Sequence, residues 1–368
     1  MARFLCLSDL HVDVNGRDDT FKLTKKQREN IDAVLIAGDI AGGATVVMDF
    51  LTKNYPNTPV VFLGGNHLIY SSEGFLKPIS SVNHKLNLLT KDTPYHFLEN
   101  DVVIIGDTAV IGTNLYTDYK LGKPVYLRQL DEDGDPIAKD GRKLLKDPFL
   151  EWLKDPKNAY YSSLDCPNDE FVAARAKIIC PLDRKFDDWA KEYPEAAVAV
   201  RAYEEDKKNQ WEKKATVAQM QTWNMRFAQR YMNDFEYGWS DNFNSTLGMF
   251  ERLSPVDYLK YHKKAVKFIR RAYATYTAAG YKVVIMTHHA PHPLCLVPKY
   301  RSADSAASYA SDLTKLLRSV PQTSFWLFGH THNSFDGTIE GVRLVNNAYG
   351  YKMYNEHKDW NPNLIIET

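Results

Sequence analysis

Five short apolar runs in this chain each end on a cluster of metal-competent side chains, and that recurrence constrains the fold more than any other feature. Phe4 to Leu7 runs into Asp9 and His11, Ala33 to Ala37 into Asp39, and Val60 to Leu63 into Asn66 and His67; Val283 to Met286 runs into His288 and His289, and Phe325 to Phe328 into His330 and His332. Such runs, bounded by Gly or polar residues, read as parallel strands buried on both faces. In open α/β sheets ligands bind just outside the carboxyl ends of the strands, so the five clusters can converge on one spot. That spot would hold two carboxylates, one amide oxygen and several imidazoles. A thiolate-free O/N set of this kind suits divalent first-row ions, and two of them about 3.5–4 Å apart can clamp an in-line displacement at phosphorus.

The rest of the chain bounds the partners. Its 368 residues exceed what one minimal domain needs and can bury a core without staples. Lys plus Arg and Asp plus Glu both number 46, so no overall field favours long nucleic acid or an anionic membrane. Cys6, Cys166, Cys180 and Cys295 form no CxxC pair. With no run long enough for a signal core or a membrane span, the expected location is the cytoplasm.

Local patterns set the organisation. Helices are expected around Lys25 to Asn30 and Val46 to Asn54, and a hairpin over Val102 to Ile105 and Ala109 to Ile111 about Gly106-Asp107. Ser254-Pro255-Val256-Asp257 reads as an N-cap opening a helix to about Tyr276. Asp304 to Leu317 reads as another helix, Thr338 to Val345 as a hairpin about Glu340-Gly341, and Leu364 to Ile366 as a strand. The catalytic scaffold is expected at 1–119 and 240–368. Residues 120–239 read as an inserted, mostly helical cap, turn-rich at Asp131 to Pro136, then rich in Ala, Glu, Lys and Gln. Residues 121–240 carry 20 Lys plus Arg against 22 Asp plus Glu, a net of −2, and five of the seven tryptophans, so the insertion is aromatic but not basic. Irregularly spaced tryptophans suit the core of a small domain better than a base-stacking platform.

The spacing at each cluster has a chemical reason. In Asp9-Leu10-His11 alternate residues of an extended chain project to one side, and Gly329-His330-Thr331-His332 repeats the device. Gly38 allows close approach at Asp39, whose two oxygens could bridge two ions. In Gly65-Asn66-His67 the amide oxygen can ligate while the imidazole points toward a leaving group.

Taken in order, D-x-H, G-D, G-N-H, a strand-end His and G-H-x-H, these clusters resemble the calcineurin-like metallophosphoesterase superfamily. Residues 1 to about 118 and 255 to about 350 carry the likeness. It implies a four-layer α/β/β/α sandwich and a dinuclear centre. Asp9, His11, Asp39 and His332 would hold one ion, and Asp39, Asn66, His288 and His330 the other. A hydroxide between the ions would attack phosphorus, and His67 would protonate the leaving oxygen. Manganese is favoured among Mn, Fe, Zn, Co and Ni. Gly112 to Asp118, Met232 to Phe235 and Thr287 to Pro291 look like a bacterial and phage branch that brings a fold but no established substrate. Two positions depart from the pattern. The residue after the GNH histidine is Leu68 instead of an acid, and Tyr349-Gly350-Tyr351 stands where the branch places an Arg before Gly-Tyr.

For the substrate, His289, Asn114, Tyr116, Asn233, Asp234 and Arg301 are candidate contacts. His289 could equally hydrogen-bond the backbone, and Asn or Asp in turns often serve the chain itself. The leading reading is hydrolysis of a small phosphate mono- or diester, nucleotides included, with the insertion selecting the substrate. A nuclease on the same scaffold would need a basic groove that neither the net charge nor the insertion offers. A non-catalytic interaction scaffold would show missing ligands, and none is missing.

Overall fold

The computed structural model describes residues 1–16, 19–70, 77–122, 126–132, 136–158, 168–181, 184–210 and 212–368. Cys166, Trp211 and the Asp133 to Asp135 part of the turn-rich stretch lie outside them.

The buried strands form where apolar β-branched and aromatic residues cluster, and a few polar strands such as β8 do not follow that rule. They are β1 (Arg3–Leu7), β2 (Ala33–Ile36), β3 (Val60–Phe62), β4 (Tyr95–Phe97), β5 (Asp101–Ile105) and β6 (Thr108–Thr113), followed by β7 (Tyr126–Arg128), β8 (Glu212–Lys214), β9 (Trp239–Asn244) and β10 (Met249–Arg252), and then β11 (Lys282–Thr287), β12 (Thr323–Leu327), β13 (Phe335–Ile339), β14 (Val342–Asn346) and β15 (Ile365–Glu367). One sheet has the order β15-β1-β2-β3-β4 and the other β13-β14-β12-β11-β6-β5. Neighbours run parallel from β1 to β4, and β11 is parallel to both β6 and β12. The five apolar runs therefore deliver their carboxyl ends from two sheets. The hairpin β5–β6 turns at Gly106-Asp107 and supplies the second sheet with an edge.

Period-two alternation sorts the buried strands into layers. Phe4 and Cys6 of β1 meet Val284, Met286, Phe325 and Leu327 of the other sheet in a core between the sheets. Leu5 and Leu7 point the other way, into a core with Val47, Phe50 and Leu51 of the helix Ala44–Asn54 and Val82 and Leu86 of the helix Ile79–Thr90. On the far side, Val283, Ile285 and Trp326 pack against Ala265, Ile269 and Ala272 of the helix Pro255–Ala278. The result is the α/β/β/α sandwich. The Pro255–Ala278 helix starts as its sequence dictates, with Pro at the first turn and a reciprocal capping box between Ser254 and Asp257.

One expected helix is broken. Asp304 to Leu317 folds as Ala306–Tyr309 and Thr314–Leu317, because Ala310 turns extended and pairs with Ala290 beside the β11 end. Ala290 N–H donates to Tyr309 O, and Ser311 N–H donates to Ala290 O. Tertiary hydrogen bonds thus override local helix propensity, and Tyr309 is aimed at the strand ends.

The chain divides into two compact units, Met1–Lys123 with Val217–Thr368, and Pro124–Thr216. The smaller one is helical around Trp189, fully buried with Ala197 and Val200, whose indole N–H donates to Ala176 O at 2.6 Å. Residues 217–239, expected in the insertion, belong to the larger unit. Among the described residues no helix is long and apolar enough to cross a membrane.

Gly112 shows how closely the two sheets meet, since a Cβ there would stand 2.5 Å from Leu98 Cβ. Gly112→Val should cost about 1–3 kcal/mol through overpacking, read as a lower urea midpoint with an unchanged slope.

Candidate metal centre

The strand ends converge through strained backbone. Asp9 (φ 54°), His11 (φ 43°), Asp39 (φ 52°), His330 (φ 66°) and His332 (φ 48°) all adopt left-handed conformations. The paired residues in Asp9-Leu10-His11 and His330-Thr331-His332 do not project from extended chain, as their spacing suggests; tight turns swing them to one side. Each such residue costs about 1–2 kcal/mol, and strain of this kind persists where surrounding structure imposes it, commonly at functional sites. Backbone donors do the imposing. His330 N–H reaches Asp9 Oδ1 at 2.9 Å, and His67 N–H reaches Asp39 Oδ1 at 2.9 Å. Glycine makes room: a Cβ on Gly38 would lie 2.4 Å from His288 Nδ1, and one on Gly65 would lie 2.0 Å from Asp39 Oδ1.

Two groups of donor atoms result. Asp9, His11, Asp39 and His332 each offer one atom within 4.8 Å of the others, as do Asp39, His288 and His330. Asp39 belongs to both. In the first group His11 Nε2 is 3.0 Å from His332 Nε2, and His332 Nε2 is 3.6 Å from Asp9 Oδ1. In the second, His288 Nε2 lies 3.3 Å from Asp39 Oδ2 and 2.9 Å from Asn66 Oδ1. Two imidazoles are locked from behind. His288 Nδ1 donates to Ala37 O at 2.8 Å and His332 Nδ1 to Glu356 Oε2 at 2.8 Å, so each turns Nε2 inward. Metal-binding histidines are commonly oriented in this way.

The donor set fits divalent ions. His330 Nε2 and Asp39 Oδ2 are buried and complete no hydrogen bond, a costly arrangement unless a cation satisfies them. Burial pushes the His11 and His330 imidazoles well below the ordinary histidine range, leaving them neutral with lone pairs to donate. Burial also works against charge on Asp39, yet His288 foremost and His67 next hold its carboxyl well below the usual range. Burial opposes charge on His288 too, but Asp39 prevails and brings that imidazole up to about 9. The carboxylate draws positive charge to this spot.

A sequence profile described as calcineurin-like phosphoesterase matches residues 2–180. Over those residues, just under half of its length, the chain matches the calcineurin-like metallophosphoesterases. That match supports a metal-dependent phosphoric ester hydrolase. No curated protein matches it in sequence. Among solved structures it is similar to a phosphopantetheinyl hydrolase from Mycobacterium tuberculosis, with 12% identity over 98% of this chain and 93% of that one and a TM-score of 0.47. It is also similar to a dimetal phosphatase from Danio rerio, with 12% identity over 94% and 86% of the two chains and a TM-score of 0.37.

Beside the centre opens a cavity of about 490 Å³ whose described lining comes from the larger unit, Tyr231, Asn233, Val297, Tyr300, Tyr309 and Tyr354 included. Of the six expected substrate contacts, only Asn233 lines it. Asn114 is buried and its Oδ1 accepts from Gly65 N–H at 2.9 Å, supporting the Gly65-Asn66-His67 turn. Tyr116 is buried against Tyr258, with its hydroxyl 3.3 Å from Asn114 Nδ2. His289 approaches Asn114 O at 3.2 Å through Nδ1, the backbone alternative raised by its sequence. Arg301 donates to Leu294 O and Leu296 O, each at 3.0 Å, and clamps its own loop. Asp234 is buried on Asn66. Four residues that the sequence reading did not place among the site candidates join it: Tyr70, Tyr309 (stacked on His330 at 4.7 Å), Glu356 and Tyr351, the last noted there only within Tyr349-Gly350-Tyr351. No spacing or composition signal in the chain marks Tyr70, Tyr309 or Glu356.

Glu99 braces the same turn, accepting from Asn114 N–H at 3.3 Å and Thr113 Oγ1 at 3.1 Å. Burial pushes its carboxyl from 4.5 up to about 7. A raised carboxyl favours the folded state below about pH 4.5, and that contribution is lost as pH climbs through about 7. Relative to wild type, Glu99→Gln should therefore gain about 1–3 kcal/mol between pH 4.5 and 8, allowing for the partial exposure of this residue, read from urea unfolding at both pH values. A parallel pH dependence in the two proteins would remove Glu99 as its source.

Proposed function

We propose that the chain is a two-metal phosphoesterase for a small phosphate mono- or diester, nucleotides included. Asp9, His11, Asp39 and His332 hold one ion, and Asp39, Asn66, His288 and His330 hold the other. The observation that carries this reading is the membership of Asp39 in both donor groups, with an unsatisfied oxygen facing them. When bound, the ions supply Lewis-acid polarisation of the phosphoryl group and neutralise its charge. Manganese is the favoured metal of this reading, and the mixed O/N set suits Mn, Fe, Zn, Co and Ni alike.

The chain's own groups do the rest. His67 stands at the cavity wall, and its Nε2 is 3.0 Å from the Tyr351 hydroxyl, so imidazole and phenol face the substrate space as a hydrogen-bonded pair. Leu68 is buried in the core and gives His67 no acidic neighbour. Tyr351 takes the partner's place, itself fixed by stacking on His11 at 4.5 Å and by its N–H on Glu356 Oε2 at 2.7 Å. In this reading His67 passes a proton to the leaving oxygen as the P–O bond breaks. The cavity volume suits a drug-sized or nucleotide-sized ester, and its tyrosines suit a planar leaving group. Tyr231, Met232 and Asn233 supply the part of the wall drawn from the 120–239 stretch expected to select the substrate.

Elemental analysis after manganese loading should find two ions per chain. One ion per chain in fully active protein would refute the mechanism. His67→Asn should keep both ions and slow hydrolysis of alkyl esters by roughly 10²–10⁴-fold, with a smaller loss on nitrophenyl esters that need little protonation. Tyr351→Phe should follow the same pattern at about tenfold, the size of one lost hydrogen bond. Equal losses on both ester types would remove the acid role.

A further inference from the structure

An asparagine side chain has nearly the same shape either way round, but only its oxygen can serve a cation. Something must therefore decide which end of Asn66 faces the centre. Asn66 Nδ2 lies 2.8 Å from Asp234 Oδ1 and 3.0 Å from the Tyr70 hydroxyl, and that hydroxyl donates its own proton to Asp234. Both neighbours consequently present lone pairs. A carboxylate can only accept, and the phenol proton is already committed, so the NH₂ end alone satisfies them. Turning the amide over would set Asn66 Oδ1 against two acceptors in a buried place.

Asp234 comes from far along the chain, on the short helical turn Asp234–Tyr237 that follows the helix Val217–Tyr231. It is 3% exposed, and the cavity wall does not include it. Its surroundings, with Phe235 and Tyr258 packed beside it, are too apolar to keep a carboxylate without a purpose.

We propose that Asp234, assisted by Tyr70, is a positioning residue that fixes the Asn66 amide with Oδ1 toward His288 and Asp39. Its negative charge, acting through the amide dipole, strengthens that oxygen as a metal donor. This rests on the proposed role of Asn66 as a ligand.

The test is a titration of the full chain with Mn²⁺ alone, following free Mn²⁺ by electron paramagnetic resonance. Wild type should bind two ions. Asp234→Ala should bind the first as wild type does and the second about 10–100-fold more weakly. Adding Asn66→Asp to Asp234→Ala should recover most of that loss, because a carboxylate offers oxygen in either orientation and can take the freed Tyr70 proton. A merely structural role for Asp234 would show no such rescue. The proposal is overturned if folded Asp234→Ala binds both ions as wild type does, or if the double variant is no better than Asp234→Ala. Should Asp234→Ala fail to fold, Asp234→Asn is read in the same titration: loss of the charge should weaken the second ion several-fold, and unchanged affinity overturns the proposal. Wild type binding fewer than two ions would overturn the two-metal reading itself, and this role with it.

Discussion

Everything at the centre depends on one carboxylate in a place where a carboxylate should not be. Asp39 is 1% exposed, sits in left-handed backbone at the end of β2, and shares one oxygen with the His67 N–H while the other faces the imidazoles. Burying a charge without a partner costs several kcal/mol, so this position is tolerable only with positive charge close by. Neighbouring features serve that requirement. Gly38 and Gly65 lack the Cβ atoms that would strike His288 and Asp39, and the backbone of the Gly65-Asn66-His67 turn donates to the carboxylate.

The sandwich is what makes such strain affordable in structural terms. Five residues of the centre hold positive φ, and their summed cost would exceed half the stability of many domains if nothing opposed it. Three continuous cores oppose it, one between the sheets and one under each helical layer. The strands behind the centre are buried on both faces and cannot slip by one residue without exchanging their inner and outer sets. Rigidity of the sheets is thereby passed to the turns at their ends.

The outer layer of the site is built differently. Glu356 and Tyr351, from a segment just after β14, lock His332, cover His11 and reach His67, while Asp234 and Tyr70 hold Asn66. These groups come from connections and short helical turns, where local sequence carries no period, and all but Tyr70 on Asn66 meet their partners across a large sequence separation. Buried carboxylates and phenols behind the donor atoms set orientation and tautomer, and loops can supply them because the scaffold beneath does not move.

The sequence by itself determined the strand runs, the cluster at each strand end, the capped helix at Pro255 and the hairpins, because those follow from side-chain period and from short-range turn chemistry. It also determined the donor set, since metal chemistry is written in residue type. Tertiary structure alone decided how the donors converge: the turns at Asp9 and His330 are left-handed where spacing suggested extended chain, because hydrogen bonds from distant backbone hold them there. It alone broke the Asp304 to Leu317 helix, through the pairing of Ala310 with Ala290, and moved 217–239 into the larger unit. It turned Asn114, Tyr116, His289, Asp234 and Arg301 inward or onto their own loops, leaving Asn233 on the cavity wall. The physical reason is common to all of these. A polar side chain takes whichever partner burial brings to it, and which partner that is depends on three-dimensional neighbours that no local pattern encodes.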